Sequence, residues 1–191
     1  NLALISHLGC NKITSLDDES TEAVVMKASF DHCRDTLLEE GMWGFANKRA
    51  IWTPLVDEPV WGFSFAYQIP STTIRMLTVS NNETNKSFFW KLEGDQVLCD
   101  AEQVFVKYTV RVTNTNLFTT GFSNALALYL AYYNCIGLTE NRAMKEELYR
   151  EYNNALDDAR TNDGMQGKAE KIRSNVLIDA RRGGRALTGL R

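Results

Sequence analysis

The spacing of apolar side chains divides this 191-residue chain into a helical start, a β-rich middle and a helical second half. Residues 2–8 are apolar enough for a short helix, which the polar stretch 11–15 ends. A longer helix follows, because Ala23, Met26, Phe30, Cys33 and Leu37 repeat at spacings of three and four. Asp17, Asp18, Glu19 and Glu22 crowd its predicted start, where carboxylates meet the positive end of the helix dipole, and Gly41 stops it. Lys27, Asp31, Arg34 and Asp35 fall on the opposite face of this helix, the one predicted to meet solvent.

Between residues 43 and 112 the period becomes alternating. All three prolines, Pro54, Pro59 and Pro70, lie here and disfavour helix. Phe63, Phe65, Tyr67 and Ile69 alternate with Ser64, Ala66 and Gln68, residues 74–79 and 87–93 are rich in β-formers, and Glu93-Gly94-Asp95 predicts a turn into residues 96–99. Val104, Val106, Tyr108, Val110 and Val112 share one face of the clearest strand, with Lys107, Thr109 and Arg111 on the other. Short turns between neighbouring strands predict antiparallel pairing.

Residues 117–136 are apolar on nearly all sides and predict a helix buried against several neighbours. Gly137 is expected to close it and Thr139 to cap the next helix. There Met144, Leu148, Tyr152, Ala155 and Ala159 form the inner stripe, and Lys145, Glu147, Glu151 and Asp158 lie outside. The predicted fold class is α+β: an antiparallel helix bundle from residues 1–42 and 113–163, an inserted antiparallel sheet lobe over 43–112, and an extended C-terminal tail over 164–191. Gly164, Gly167, Gly183, Gly184 and Gly189 break up that tail, whose one apolar knot is Val176-Leu177-Ile178. A segment of this kind becomes ordered against a partner.

Charge sharpens the division. The net charge of −3 averages a balance of −8 over residues 1–159 and +5 over residues 160–191. Arg181, Arg182 and Arg185, with Lys168, Lys171 and Arg173 upstream, form the one basic cluster, and Ile172, Val176, Leu177 and Ile178 add apolar contacts. This is the pattern of an interaction tail. It favours an acidic protein surface over nucleic acid, because residues 160–191 contain no Phe, Trp or Tyr on which bases could stack.

Chemical motifs add little. Cys10, Cys33, Cys99 and Cys135 are too far apart for a zinc knuckle or a redox pair, so no metal site is expected; they read as small hydrophobes, reduced in a cytosol. No Gly-x-Ser-x-Gly elbow, phosphate-binding Gly-x-x-x-x-Gly-Lys loop or Gly-x-Gly-x-x-Gly fingerprint occurs, and no cofactor is implied. His7 and His32, the only histidines, sit on separate predicted helices without a ligand set. No basic segment leads into an apolar stretch with a cleavage site, and Thr119, Thr120, Ser123, Asn124 and Asn134 interrupt residues 117–136, so neither secretion nor a membrane span is expected. Asp57-Glu58, flanked by prolines and near Trp52, Trp61 and Phe63, could serve a glycan hydrolase. The alternative is a solvated turn beside aromatics (Trp43, Phe45, Trp52, Trp61, Phe63, Phe65) that build a seam between helices and sheet.

Beyond these patterns, the order of residues along the chain resembles a known family. Ala3-Leu4-Ile5-Ser6, Ile13-Thr14-Ser15-Leu16-Asp17-Asp18, Glu22-Ala23, Phe30-Asp31 and Arg34-Asp35 are similar to the N-terminal helices of tail tubular protein A, the head-to-tail adaptor of short-tailed bacteriophages. The resemblance continues through Trp43, Phe45-Ala46, Lys48-Arg49-Ala50, Pro54-Leu55, Ala66-Tyr67, Ile69-Pro70, Arg75 and Leu77. It ends with Ala125-Leu126-Ala127, Tyr152, Ala155-Leu156, Ala159-Arg160 and Ile178-Asp179-Ala180-Arg181. It implies a non-enzymatic virion protein of the short tail, assembled in the host cytoplasm. Such subunits form a ring, typically of twelve copies, between the portal and the nozzle, tail tubular protein B. Tail fibres attach near that junction, and DNA passes through the lumen without specific binding. The tail residues Ile172, Val176, Leu177, Ile178, Arg181, Arg182 and Arg185 would then meet the portal or a neighbouring subunit.

Overall fold

The computed structural model describes residues 1–81 and 88–166. Its element order is a short π-helical segment, Ala3–Leu8, then helix α1 (Thr21–Glu40), strands β1 (Asn47–Trp52), β2 (Phe65–Gln68), β3 (Thr73–Ser80), β4 (Trp90–Glu93), β5 (Gln96–Cys99) and β6 (Val104–Val110), and helices α2 (Thr120–Thr139) and α3 (Arg142–Met165). The class is α+β with two small antiparallel sheets. Among the described residues no helix is long and apolar enough to cross a membrane.

The N-terminal segment ends earlier than residues 11–15, at Gly9, whose left-handed φ of 64° turns the chain. The acidic run before α1 also lies outside the helix. Ser20 is the N-cap, its hydroxyl accepting from the Ala23 N–H at 3.3 Å. Asp18 instead accepts from the Thr14 and Ser15 N–H groups at 2.8 and 3.0 Å, and Asp17 pairs with Lys27 at 2.6 Å. Only Glu22 reaches the first turn.

Ala23, Met26, Cys33 and Leu37 of α1 are buried as their spacing predicts, and Phe30 packs against the same core. Arg34 departs from the expected solvent face. Its guanidinium is buried yet reaches the exposed Asp31 at 2.7 Å and the partly buried Asp35 at 2.8 Å, and Asp35 also accepts from Arg111 at 2.7 Å, tying α1 to the end of β6. The charge is tolerated there because every side of it is paired.

One sheet has the order β1-β6-β3 and the other β2-β5-β4. β6 is central in the first, pairing Asn47 with Thr109 and Trp52 with Val104 on one side and Thr73 with Val110 on the other. Its valines face inward as the alternation predicts, but Thr109 on the opposite face is fully buried as well, its hydroxyl 3.3 Å from Asn47 Oδ1. β2 likewise buries both Ala66 and Tyr67, where alternation would leave Ala66 outside. Gly94, at φ 59°, makes the expected turn from β4 to β5.

α2 begins at Thr120, after a 3-10 turn at Thr115–Leu117, and passes through Gly137 to Thr139. Glu140 takes the left-handed cap position expected of glycine, with φ 55°. Asn141, rather than Thr139, caps α3, accepting from the Met144 N–H at 3.1 Å, while Thr139 donates back to the Cys135 carbonyl at 2.7 Å. α3 runs through Gly164 to Met165, so the helix extends past the boundary at 163/164 drawn from sequence.

α2 packs against α1, α3 and the N-terminal segment. A Cβ on Gly121 would stand 3.1 Å from Ala159 Cβ, so a small residue at each position lets α2 and α3 approach closely. Asn134 of α2 is buried yet satisfied, donating to Ser29 Oγ at 2.8 Å and to the Leu130 carbonyl at 2.9 Å. Side chains from the N-terminal segment, all three helices and both sheets form one apolar core. Each large side chain buried there contributes about 2–3 kcal/mol.

Candidate functional site

The aromatic residues divide into an inner and an outer set. Trp43, Phe45, Phe118 and Phe122 build the seam between helices and strands. The Trp43 indole meets Phe122 edge-on at 5.0 Å, Phe45 does the same at 5.0 Å, and Phe118 lies 4.7 Å from Phe122. Trp43 Nε1 donates to the Leu37 carbonyl at 2.7 Å, so its one polar atom is satisfied inside the core. A Cβ at Gly41 would fall 2.5 Å from the indole, which explains why the residue ending α1 has no side chain. Trp52 packs at 5.6 Å on Tyr108.

Trp61 and Phe63 do not join that seam. They belong to the loop of residues 53–64, between β1 and β2, where Val56 and Val60 are each 98% exposed and Trp61 is 85% exposed. Phe63 stacks at 5.6 Å on Phe89, itself 76% exposed. The loop is nevertheless fixed at its base. Leu55 N–H donates to the Ala66 carbonyl at 2.8 Å, and the Ser64 N–H and hydroxyl both reach Asp100 Oδ1, at 2.9 and 3.1 Å. Gly62, at φ 88°, makes the bend that carries the chain past Trp61. Val56, Val60 and Trp61 thus stand as exposed apolar side chains on an anchored loop. Asp57 and Glu58 stand on this loop, exposed and without a hydrogen-bond or ion-pair partner among the described residues.

No family model matches the chain, and comparison with curated proteins finds no match either.

Other reactive groups are engaged within the fold. Burial pushes the Cys33 thiol up to about 12, and it raises Cys10 and Cys99 as well, the opposite of what a reactive thiolate needs. All four cysteines are free. Burial, assisted by Cys99 and Glu102, pushes the Tyr67 hydroxyl up to about 12, and this hydroxyl donates a short hydrogen bond to the Ala101 carbonyl. Tyr152 is raised by burial and by Glu40, to which it donates at 2.8 Å. Arg160 donates to the Glu40 carbonyl at 2.7 Å, and Asp163 accepts from the Gly44 N–H at 2.8 Å, so α3 holds the end of α1 and the turn after it. His32 lies tilted against Tyr133, with ring centres 5.4 Å apart. Among the described residues no group of three His, Cys, Asp or Glu side chains could hold a metal ion.

The tail residues Ile172, Val176, Leu177, Ile178, Arg181, Arg182 and Arg185 lie outside the described residues. One feature shows only in part in the sequence pattern. Lys145, assigned to the outer face of α3, is half-buried, with its ammonium 5.0 Å over the Tyr132 ring. The helical spacing of Lys145 and Tyr149 is a visible signal, but the aromatic partner comes from α2.

Proposed function

We infer that this chain is a structural subunit of a phage head-to-tail adaptor, a ring that joins a portal to a tail nozzle and surrounds passing DNA. The observation that carries this reading is the ordered likeness of residues from Ala3 to Arg181 to tail tubular protein A. The exposed loop at Val56, Val60 and Trp61 supports it, because a subunit joining two other proteins needs apolar side chains directed away from its own core. In this reading residues 1–42 and 113–163 form the helical part, residues 43–112 the β-rich lobe, and residues 164–191 a tail that clasps the portal or a neighbouring copy. The role requires no catalytic residue, cofactor or metal. The acidic body, with a balance of −8 over residues 1–159, keeps the phosphate backbone of DNA from adhering to the lumen.

Mass measurement of the particle formed with portal rings tests the proposal. A discrete ring-on-ring complex is expected, and a chain that never joins portal rings discards it. Truncation after Gln166 leaves α3 whole and is expected to weaken docking. If the truncated chain joins portal rings as well as the full chain does, the role given to the tail is wrong.

A further inference from the structure

Two grooves along α3 carry opposite charge. Near its start, Arg142, Lys145 and Arg150 line a groove of about 740 Å³, together with Tyr132, Tyr149 and one carboxylate, Glu146. The two tyrosine rings are 5.2 Å apart, and Lys145 lies over one of them. Among the described residues neither Arg142 nor Arg150 has an ion-pair partner. Farther along, Glu151 and Asp158 line a groove of about 410 Å³ with Asn154 and Asn162 and no Lys or Arg. His7 enters that second groove from the N-terminal segment, and its Nε2 is shielded from solvent with no hydrogen-bond partner among the described residues. At 100° per residue the two sets fall about half a turn apart on α3, and at 1.5 Å per residue their centres are about 15 Å apart along it.

A cationic, tyrosine-lined groove on one flank and a carboxylate groove on the other fit each other in successive copies but not within one copy. We propose that the second copy of this chain is the occupant: the Arg142–Lys145–Arg150 groove of one subunit receives Glu151 and Asp158 of the next. Tyrosine and arginine are the residue types that concentrate binding energy at protein interfaces. Each subunit uses two different faces, so the contact is head-to-tail and propagates into a ring or a filament rather than stopping at a symmetric dimer. The pairing of faces rests on the ring reading above only for the closure of the assembly.

Carbodiimide cross-linking tests it, since the reagent joins a lysine amine to a carboxylate in direct contact. Isotopically heavy and light protein, mixed at millimolar concentration and low salt, is expected to yield heavy–light peptides linking Lys145 to Glu151 or Asp158. Reversing the cationic face with Arg142→Glu and Arg150→Glu, which leaves Lys145, Glu151 and Asp158 in place to be joined, lowers the yield about tenfold. Absence of those heavy–light links in the unaltered protein overturns the inference, as does a yield that this reversal leaves unchanged. Electron microscopy of the cross-linked product separates this inference from the ring reading. Open filaments carrying the links keep the faces and discard the ring, whereas closed rings without them keep the ring and discard the faces.

Discussion

Trp43 and Trp61 are eighteen positions apart and meet opposite environments. The first is buried, with its indole N–H bonded to Leu37 and Phe122 against its ring. The second stands 85% exposed on a loop whose base is fixed by Leu55 and Ser64. The difference teaches that aromatic content alone does not locate a core. What decides is whether the surrounding backbone converges on the ring or carries it away, and Gly41 and Gly62 do those two things respectively.

The comparison breaks first at its buried end. Phe122→Ala removes the ring that Trp43, Phe45 and Phe118 share, and is expected to cost about 3–5 kcal/mol in denaturant unfolding. Gly41→Ala drives a methyl group into the Trp43 indole, with an expected loss of about 1–3 kcal/mol and a change in tryptophan fluorescence. Trp61→Ala, by contrast, should change stability by no more than about 0.5 kcal/mol and, under the proposed adaptor role, weaken attachment to portal rings, measured by co-sedimentation. An equal stability loss for Trp61→Ala and Phe122→Ala would erase the distinction between the two sets.

Alkali probes the same contrast more gently. Tyr67 keeps its proton to about 12 in the folded chain, against an ordinary value of 10, so its contribution to stability is complete below pH 10 and is lost as the pH rises towards 12. Tyrosinate absorbance followed alongside unfolding checks this, and Tyr67→Phe should flatten the fall in stability across that window.

The α1 stripe, the β6 valines and the apolar α2 were legible because each buries a face that its own period defines. β1 was not, since Asn47-Lys48-Arg49-Ala50-Ile51-Trp52 alternates poorly and is held only by β6. The division into two sheets was equally hidden, because β6 joins strands that are not its neighbours in sequence. Arg34 was misplaced because periodicity treats charge as solvated and does not see that its buried guanidinium reaches out to Asp31 and Asp35. As for the site, alternation grouped Trp61 and Phe63 with the seam, since an apolar side chain reads the same whether its partner lies in its own core or elsewhere. The two flanks of α3 were half visible. Their charges are plain in the sequence, but Tyr132 reaches the cationic flank from another helix.

The central place of β6 also orders events during synthesis. β1 and β3 emerge from the ribosome with no strand of their own sheet to pair with each other, because both require β6, whose pairing with Asn47 waits for Thr109. At about 5–20 residues per second, β1 spends several seconds with its backbone donors unclaimed. The polar side chains of Asn47, Lys48 and Arg49 are therefore suited to that interval as well as to the finished edge: they keep a waiting strand from recruiting the wrong partner.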